Sequence, residues 1–203
     1  MKSSALVRDV FLLAGARTPF LRSEGAFSEL MSYELAARAL SGLLARTGVD
    51  PAEIDRVILG SVLADPRTTN LAREASLACG IPSDVPAFTV TSACVSAGVA
   101  ALSATEAIAS GAASLVVAGG AESLSDAPIR FRRGVRKRLM ASRRARGIGG
   151  WLGLLKGLSF QDLLPELPAL AEFTTGLTMG QNAERLARRL GICLLYTSPS
   201  PRD

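Results

Sequence analysis

The sequence predicts an α/β fold, and three observations carry that prediction. Short, continuous apolar runs alternate with helical patterns along the chain, the order expected of a largely parallel or mixed sheet covered by helices. The apolar runs are uninterrupted rather than alternating, which suits strands buried on both faces. Glycine and alanine are abundant and aromatics make up 5%, favouring tightly packed layers over an aromatic-rich sandwich.

The elements follow in order. "VFLLA", Val10 to Ala14, reads as a first buried strand, broken by "GARTPF". Ser32 to Arg46 places Leu35, Ala39, Leu40, Leu43 and Leu44 on one helical face, with Gly48 as the stop. In "DPAEIDRVILGSVLA", Asp50 caps a short helix that has Pro51 in its first position and leads into the strand "RVILGSVL". "TNLAREASLACG" is a helix closing at Gly80, and "VPAFTV" a strand running directly to Cys94. "SAGVAALSATEAIASG" is an alanine-rich helix ending near Gly111, followed by the apolar strand "SLVVAGG". From Asp126 to about Thr178 the character changes, and the segment reads as an insertion outside the sheet. "TMGQNAERLARRLGI" then resumes an amphipathic helix with Met179, Leu186 and Leu190 in register.

Composition narrows the function classes. No apolar run reaches the roughly 18 residues of a membrane span, and the N-terminus lacks a signal-peptide cleavage pattern. Three cysteines without framework spacing fit free thiols in a reducing compartment. The formal charge is +5, but it is local. Arg130 to Arg146 holds nine Arg/Lys and no acid, and the rest of the chain is net acidic. Nucleic acid is not an expected partner, because no nucleic-acid-binding motif accompanies the charge. Phe131, Val135 and Leu139 recur every fourth residue among the arginines, a basic amphipathic helix, and "WLGLLKGL" adds an apolar patch with Trp151. A solvated charged face, a surface for anionic lipid or a partner subunit, and an electrostatic funnel for phosphates all fit that pattern.

Cys94 is the residue with chemistry to explain. It follows a strand and precedes a helix rich in small residues. The N–H groups at such a helix start can stabilise a thiolate and then hold an oxyanion after attack on a carbonyl. Ser92, Ala93, Ser96, Ala97 and Gly98 would let a substrate approach the backbone closely. The competing reading is a buried structural cysteine, and Cys79, beside Gly80, is assigned that role. The chain has no histidine, which leaves open what takes the proton of Cys94.

The combination "ARTPF", "VDPAEIDRVILGSVL", "VPAFTVTSACVSAG", "ASLVVAGGAESLSDAPIR" and "TMGQNAERLA" resembles the N-terminal half of a thiolase, in order and spacing, from Val7 to Ile192. "SDAPIR", the basic run, "GLLKGLS" and "LPELPALAEF" are similar to thiolase subunits of the fatty-acid-oxidation trifunctional complex. The resemblance implies a thiolase-like α/β domain over 1–192, with a mixed five-stranded sheet and a loop insertion at 126–178. It implies that Cys94 accepts an acyl group from a 3-oxoacyl-CoA and passes it to a second CoA, a ping-pong covalent scheme. Coenzyme A is then a substrate, with no bound cofactor and no metal. Met179 is expected to line the acyl pocket, with a core methionine as the alternative. The thiolase histidine of a Gly-His-Pro motif, the asparagine of Asn-Glu-Ala-Phe and the second cysteine of Cys-x-Gly-Gly have no counterpart here, and in thiolases they lie in the C-terminal half.

Departures from the pattern are local. Val95 follows the nucleophile, close to the isoleucine of the trifunctional type. Thr178 stands where many short-chain thiolases have histidine, which speaks for the long-chain type. Gln181 replaces a histidine after Met-Gly, so no role is assigned to it. A homodimer, a β-oxidation partner subunit and peripheral membrane contact through 130–158 are the expected associations, in a bacterial cytoplasm. A non-catalytic acyl-CoA- or lipid-binding protein of the same fold and a biosynthetic acetyl-CoA acetyltransferase are the rival readings. The last eleven residues, "CLLYTSPSPRD", match the translation of a transposase-type sequencing-library adapter. The expectation is that 193–203 are non-native, that the natural protein continues past Ile192, and that its C-terminal thiolase domain is missing from this sequence.

Overall fold

The computed structural model describes residues 8–143, 147, 159–166 and 171–192. The chain divides into two compact units, Met1–Pro128 and Ile129–Asp203.

The first unit is built on a parallel sheet of order β2-β1-β3, formed by β1 (Arg56–Gly60), β2 (Ala87–Val90) and β3 (Val116–Gly120). In β1, side chains alternate between two helical layers. Val57 and Leu59 pack with Ala36 and Leu40 of α1 (Ser32–Thr47) and with Leu71, Ala72 and Ala75 of α2 (Leu71–Ala78). Ile58 faces the opposite layer, against Ala100 and Ala104 of α3 (Ser96–Ala109). Val57 and Ile58 are fully buried, each contributing about 1.5–3 kcal/mol of transfer free energy.

Most boundaries lie where the sequence puts them. Gly48 ends α1 at φ +68°, and Gly80 and Gly111 follow α2 and α3 at φ +79° and +77°, the left-handed conformation that suits glycine. Asn70 caps α2 by accepting from the Arg73 N–H, and Asp50 caps the 3-10 turn Pro51–Glu53 by accepting from Ala52. Asp55 fixes the entry to β3. One of its carboxylate oxygens accepts from the N–H groups of Ser114 (2.6 Å) and Leu115 (3.0 Å). Those two bonds hold its pKa below the ordinary aspartate value, Leu115 contributing most.

One expected strand differs. Among the described residues Val10–Ala14 pairs with no strand, and Phe11, Leu12 and Leu13 are 75%, 96% and 78% exposed. A run apolar on both faces needs cover on both, and the described residues leave these three side chains largely uncovered. The sheet of the described residues therefore has three parallel strands rather than five mixed ones.

In the second unit, β4 (Arg130–Phe131) pairs antiparallel with β5 (Pro165–Glu166). α4 spans Arg133–Ser142, α5 Phe160–Leu163 and α6 Met179–Leu190. Phe131 was expected on the basic helix. It lies in β4 instead, because Arg132 is extended (ψ 150°) and the helix starts only at Arg133. On α4, Val135 is buried while Leu139 and Met140 are exposed, and Arg136 pairs with Glu166 at 3.7 Å. The patch around Trp151 and the tail 193–203 lie outside the described residues. Among the described residues no helix is long and apolar enough to cross a membrane.

Candidate active site

The three parallel strands end on the same side, and the loops after them gather there. This is the edge at which α/β sheets bind ligands. β2 ends at Val90, and four residues later Cys94 stands just before α3, whose N-cap is Val95.

The turn between them is tightly bonded. Val95 N–H donates to the Ser92 carbonyl and Ser96 N–H to that of Ala93, both at 3.2 Å. The Ser96 hydroxyl donates to the Ala93 carbonyl at 2.6 Å and accepts from the Ser92 N–H at 2.8 Å. Ser96 is buried, so its side chain acts as an internal strut. Ala93 lies at φ +47°, a left-handed conformation that costs a residue with a Cβ about 1–2 kcal/mol. The chain reverses at that residue, and the free thiol of Cys94 is exposed. Among the described residues Cys94 belongs to neither buried apolar cluster.

Cys79 is different. It is half-buried at the end of α2, with its sulfur 3.1 Å from the Ala37 carbonyl oxygen, consistent with a packing role.

Two glycines set the distance between α3 and the sheet. A Cβ on Gly60 would come within 2.4 Å of Ser96 C and 2.5 Å of Ala97 N, and one on Gly120 within 2.8 Å of the Gly60 oxygen. Only bare backbone at these strand ends lets the head of α3 sit so close.

Sequence reasoning missed the groups behind this turn. Glu122, just beyond β3, accepts from the Val62 N–H (2.7 Å), the Leu63 N–H (3.2 Å) and the Ser61 hydroxyl (3.3 Å). The Thr91 hydroxyl donates to the Ser61 carbonyl at 2.7 Å, and the Ser61 N–H to that of Val90 at 3.1 Å. The available signal was an acid immediately after an all-apolar strand, at the ligand-binding edge of a parallel sheet. Farther along, Arg67 bridges Asp65 and Asp126, each at 2.7 Å. The Arg67 guanidinium holds the Asp65 carboxyl below its ordinary pKa, and the two carboxylates push the Arg67 pKa up.

In the second unit Met179 opens α6 and is 60% exposed. Thr178 caps the helix by accepting from the Gln181 N–H, and the Gln181 side chain accepts from the Thr178 N–H at 2.9 Å. Gln181 thus has a structural role as half of a capping box. An open groove of about 360 Å³ runs along α6, lined by Leu177, Gly180, Gln181, Glu184, Arg185 and Arg188. Cys94 is not among its lining residues.

Fold and site together define a layered α/β protein with an accessible thiol at the head of a helix, beside the carboxyl ends of parallel strands. Residues 10–193 match the family model "Thiolase, N-terminal domain", and the chain belongs to the thiolase family. It is 43% identical over 189 residues to the mitochondrial trifunctional enzyme subunit beta of Homo sapiens, covering 93% of this chain and 40% of that protein. It is 38% identical to a 3-ketoacyl-CoA thiolase of Vibrio cholerae, covering 90% and 42%. The crystal structure of the Bacillus anthracis acetyl-CoA acetyltransferase superposes with a TM-score of 0.66 at 28% identity, over 89% of this chain and 41% of that one. The chain spans about two fifths of the length of these relatives.

Proposed function

We propose that this chain is the cysteine-bearing part of an acetyl-CoA C-acyltransferase, a 3-ketoacyl-CoA thiolase of fatty-acid β-oxidation. The observation that carries the reading is the exposed thiol of Cys94 inside a thiolase N-terminal domain. In this scheme the Cys94 thiolate attacks the 3-keto carbonyl of a 3-oxoacyl-CoA. The resulting oxyanion collapses, the bond between C2 and C3 breaks, and its electron pair leaves with acetyl-CoA as an enolate that takes up a proton. The thiolate of a second CoA then attacks the Cys94 thioester, releasing the shortened acyl-CoA and restoring the Cys94 thiolate. N–H groups at the head of α3 supply the polar environment in which a thiolate and an oxyanion form. Coenzyme A is a substrate throughout, and the scheme uses no metal.

The scheme also needs groups that move protons. The chain has no histidine, and the motifs that carry these groups in thiolases are not among its residues. We therefore propose that the 203 residues alone take an acyl group but do not turn over. The test incubates the chain with acetyl-CoA, maps acetylation by mass spectrometry, and separately assays thiolysis of acetoacetyl-CoA and a longer 3-oxoacyl-CoA. Acetyl on Cys94, absent in Cys94→Ser, with no thiolysis, is the expected outcome. Failure to acylate Cys94 removes the acyltransferase reading and leaves an acyl-CoA binder. Cys94-dependent thiolysis by this chain removes the claim of inactivity.

The acetyltransferase named in the Bacillus anthracis structure supports a second reading, biosynthetic acetyl-CoA acetyltransferase. Higher identity to the trifunctional-type relatives favours the degradative one. From the resemblance alone, Met179 is proposed to contact the acyl chain. The basic segment 130–158 is proposed to meet a β-oxidation partner subunit or an anionic membrane surface, and a homodimer is proposed for the whole enzyme. Co-sedimentation with anionic vesicles, reversed by salt, is the result the membrane proposal requires, and no binding to such vesicles eliminates it.

A further inference from the structure

We infer that Glu122 is a positioning residue for Cys94, acting through Ser61 and Thr91. The inference deepens the acyl-transfer reading and rests on it for its functional meaning. The sheet itself does not need this carboxylate, since the β1–β3 register already runs to Gly60 and Gly120. The work of Glu122 lies beyond the strand ends. One oxygen takes the N–H groups of Val62 and Leu63 and the other the hydroxyl of Ser61, so three donors of the loop after β1 converge on one acceptor-only group. Ser61 is 7% exposed, and its main chain in turn holds the end of β2. Its N–H bonds the Val90 carbonyl, and its carbonyl accepts from the Thr91 hydroxyl. Thr91 is three residues before Cys94 and two before Ala93, whose left-handed conformation persists only where neighbours over-determine it. The line Glu122–Ser61–Thr91 anchors that turn from the β1 side, alongside the Ser96 hydroxyl bonds within the turn and the packing of Gly60 under Ser96 and Ala97.

The functional consequence is specific. Without the carboxylate the loop after β1 loses its acceptor, Ser61 shifts, and the turn can relax, carrying the thiol away from the head of α3. Glutamine can restore most of the arrangement, because its carbonyl oxygen can take the two backbone donors while its NH₂ donates to the Ser61 oxygen.

The test compares wild type, Glu122→Ala, Glu122→Gln and Thr91→Val in the 203-residue chain. Iodoacetamide labelling is followed by peptide mass mapping, with half-buried Cys79 as the internal reference. Acetyl transfer from acetyl-CoA is measured on the same samples. The expected result is a fall of about fivefold or more in the Cys94-to-Cys79 labelling ratio for Glu122→Ala, the scale of one lost hydrogen bond. Glu122→Gln should recover to within about twofold on the same scale. Thr91→Val, which leaves the carboxylate untouched, should fall in the same direction as Glu122→Ala. General loosening raises Cys79 labelling in step with any change at Cys94, and that pattern overturns the inference. An unchanged ratio in both Glu122→Ala and Thr91→Val also overturns it. If wild type labels at Cys94 but takes no acetyl group, the acyl-transfer reading fails while the labelling ratios still decide the positioning.

Discussion

Ala93 and Asp55 show how single residues fix this architecture. At φ +47° Ala93 has a conformation that a β-branched side chain resists more than alanine does. Ala93→Val should therefore destabilise the chain by at least about 1 kcal/mol, read as a lower urea midpoint, whereas Ala93→Gly should change it little, relief of strain being offset by a more flexible unfolded chain. An unaltered midpoint in Ala93→Val would mean that the turn is not held as described. Asp55 sets a pH dependence. Its folded pKa lies below the ordinary aspartate value because Leu115 and Ser114 donate to the carboxylate. Its contribution is thus full above the unfolded value of about 3.9 and fades as the pH falls from there through the folded value. Asp55→Asn should be less stable than wild type at neutral pH, and the gap should close on acidification below pH ~4. Denaturation midpoints measured from neutral to acidic pH check this, and a gap that stays constant would assign the loss to packing instead of charge.

At the scale of elements, the contact between the ends of β1 and β3 and the head of α3 is the tightest packing around the site. Gly60→Ala puts a methyl group into the backbone of Ser96 and Ala97, and the helix must retreat. The expected cost is about 1–3 kcal/mol, accompanied by altered iodoacetamide reactivity at Cys94. A variant of wild-type stability and reactivity would show that α3 is free to slide. These elements were legible in the sequence because their signals are local. Asp50 and the glycines at 48, 80 and 111 mark boundaries through side-chain capping or backbone freedom, and the exposed Cys94 lies where its strand-to-helix position put it. What was not legible depends on distant partners. Val10–Ala14 has the composition of a buried strand, but pairing is decided by a neighbour that no local pattern reveals. Phe131 keeps helical spacing, yet its backbone pairs with Pro165. The role of Glu122 is not legible in the motif that contains it, because its donors are the main-chain N–H groups of Val62 and Leu63, about 60 residues earlier.

At the scale of the molecule, the first unit exposes several large apolar side chains. Phe11 to Leu13 are largely exposed, and Val95, the N-cap of α3, and Leu102 on α3 are 61% and 57% exposed. Parallel sheets are ordinarily covered on both faces, and among the described residues β2 and β3 are each hydrogen-bonded to β1 alone. Exposed apolar patches and unpaired edges both drive association. The 203-residue chain should therefore bind the dye ANS while folded and self-associate as concentration rises in sedimentation velocity. Charge should counter this where the surface is apolar, and Leu102→Glu is the informative variant because Leu102 belongs to neither buried core and lies eight residues from Cys94 in sequence. It should lower dye binding and shift the sedimentation profile toward monomer, with the urea midpoint within about 0.5 kcal/mol of wild type, as for a surface substitution. A chain that stays monomeric and dye-free at high concentration would mean that these side chains find cover in solution. If Leu102→Glu unfolded the chain instead, the outer face of α3 would be part of a core.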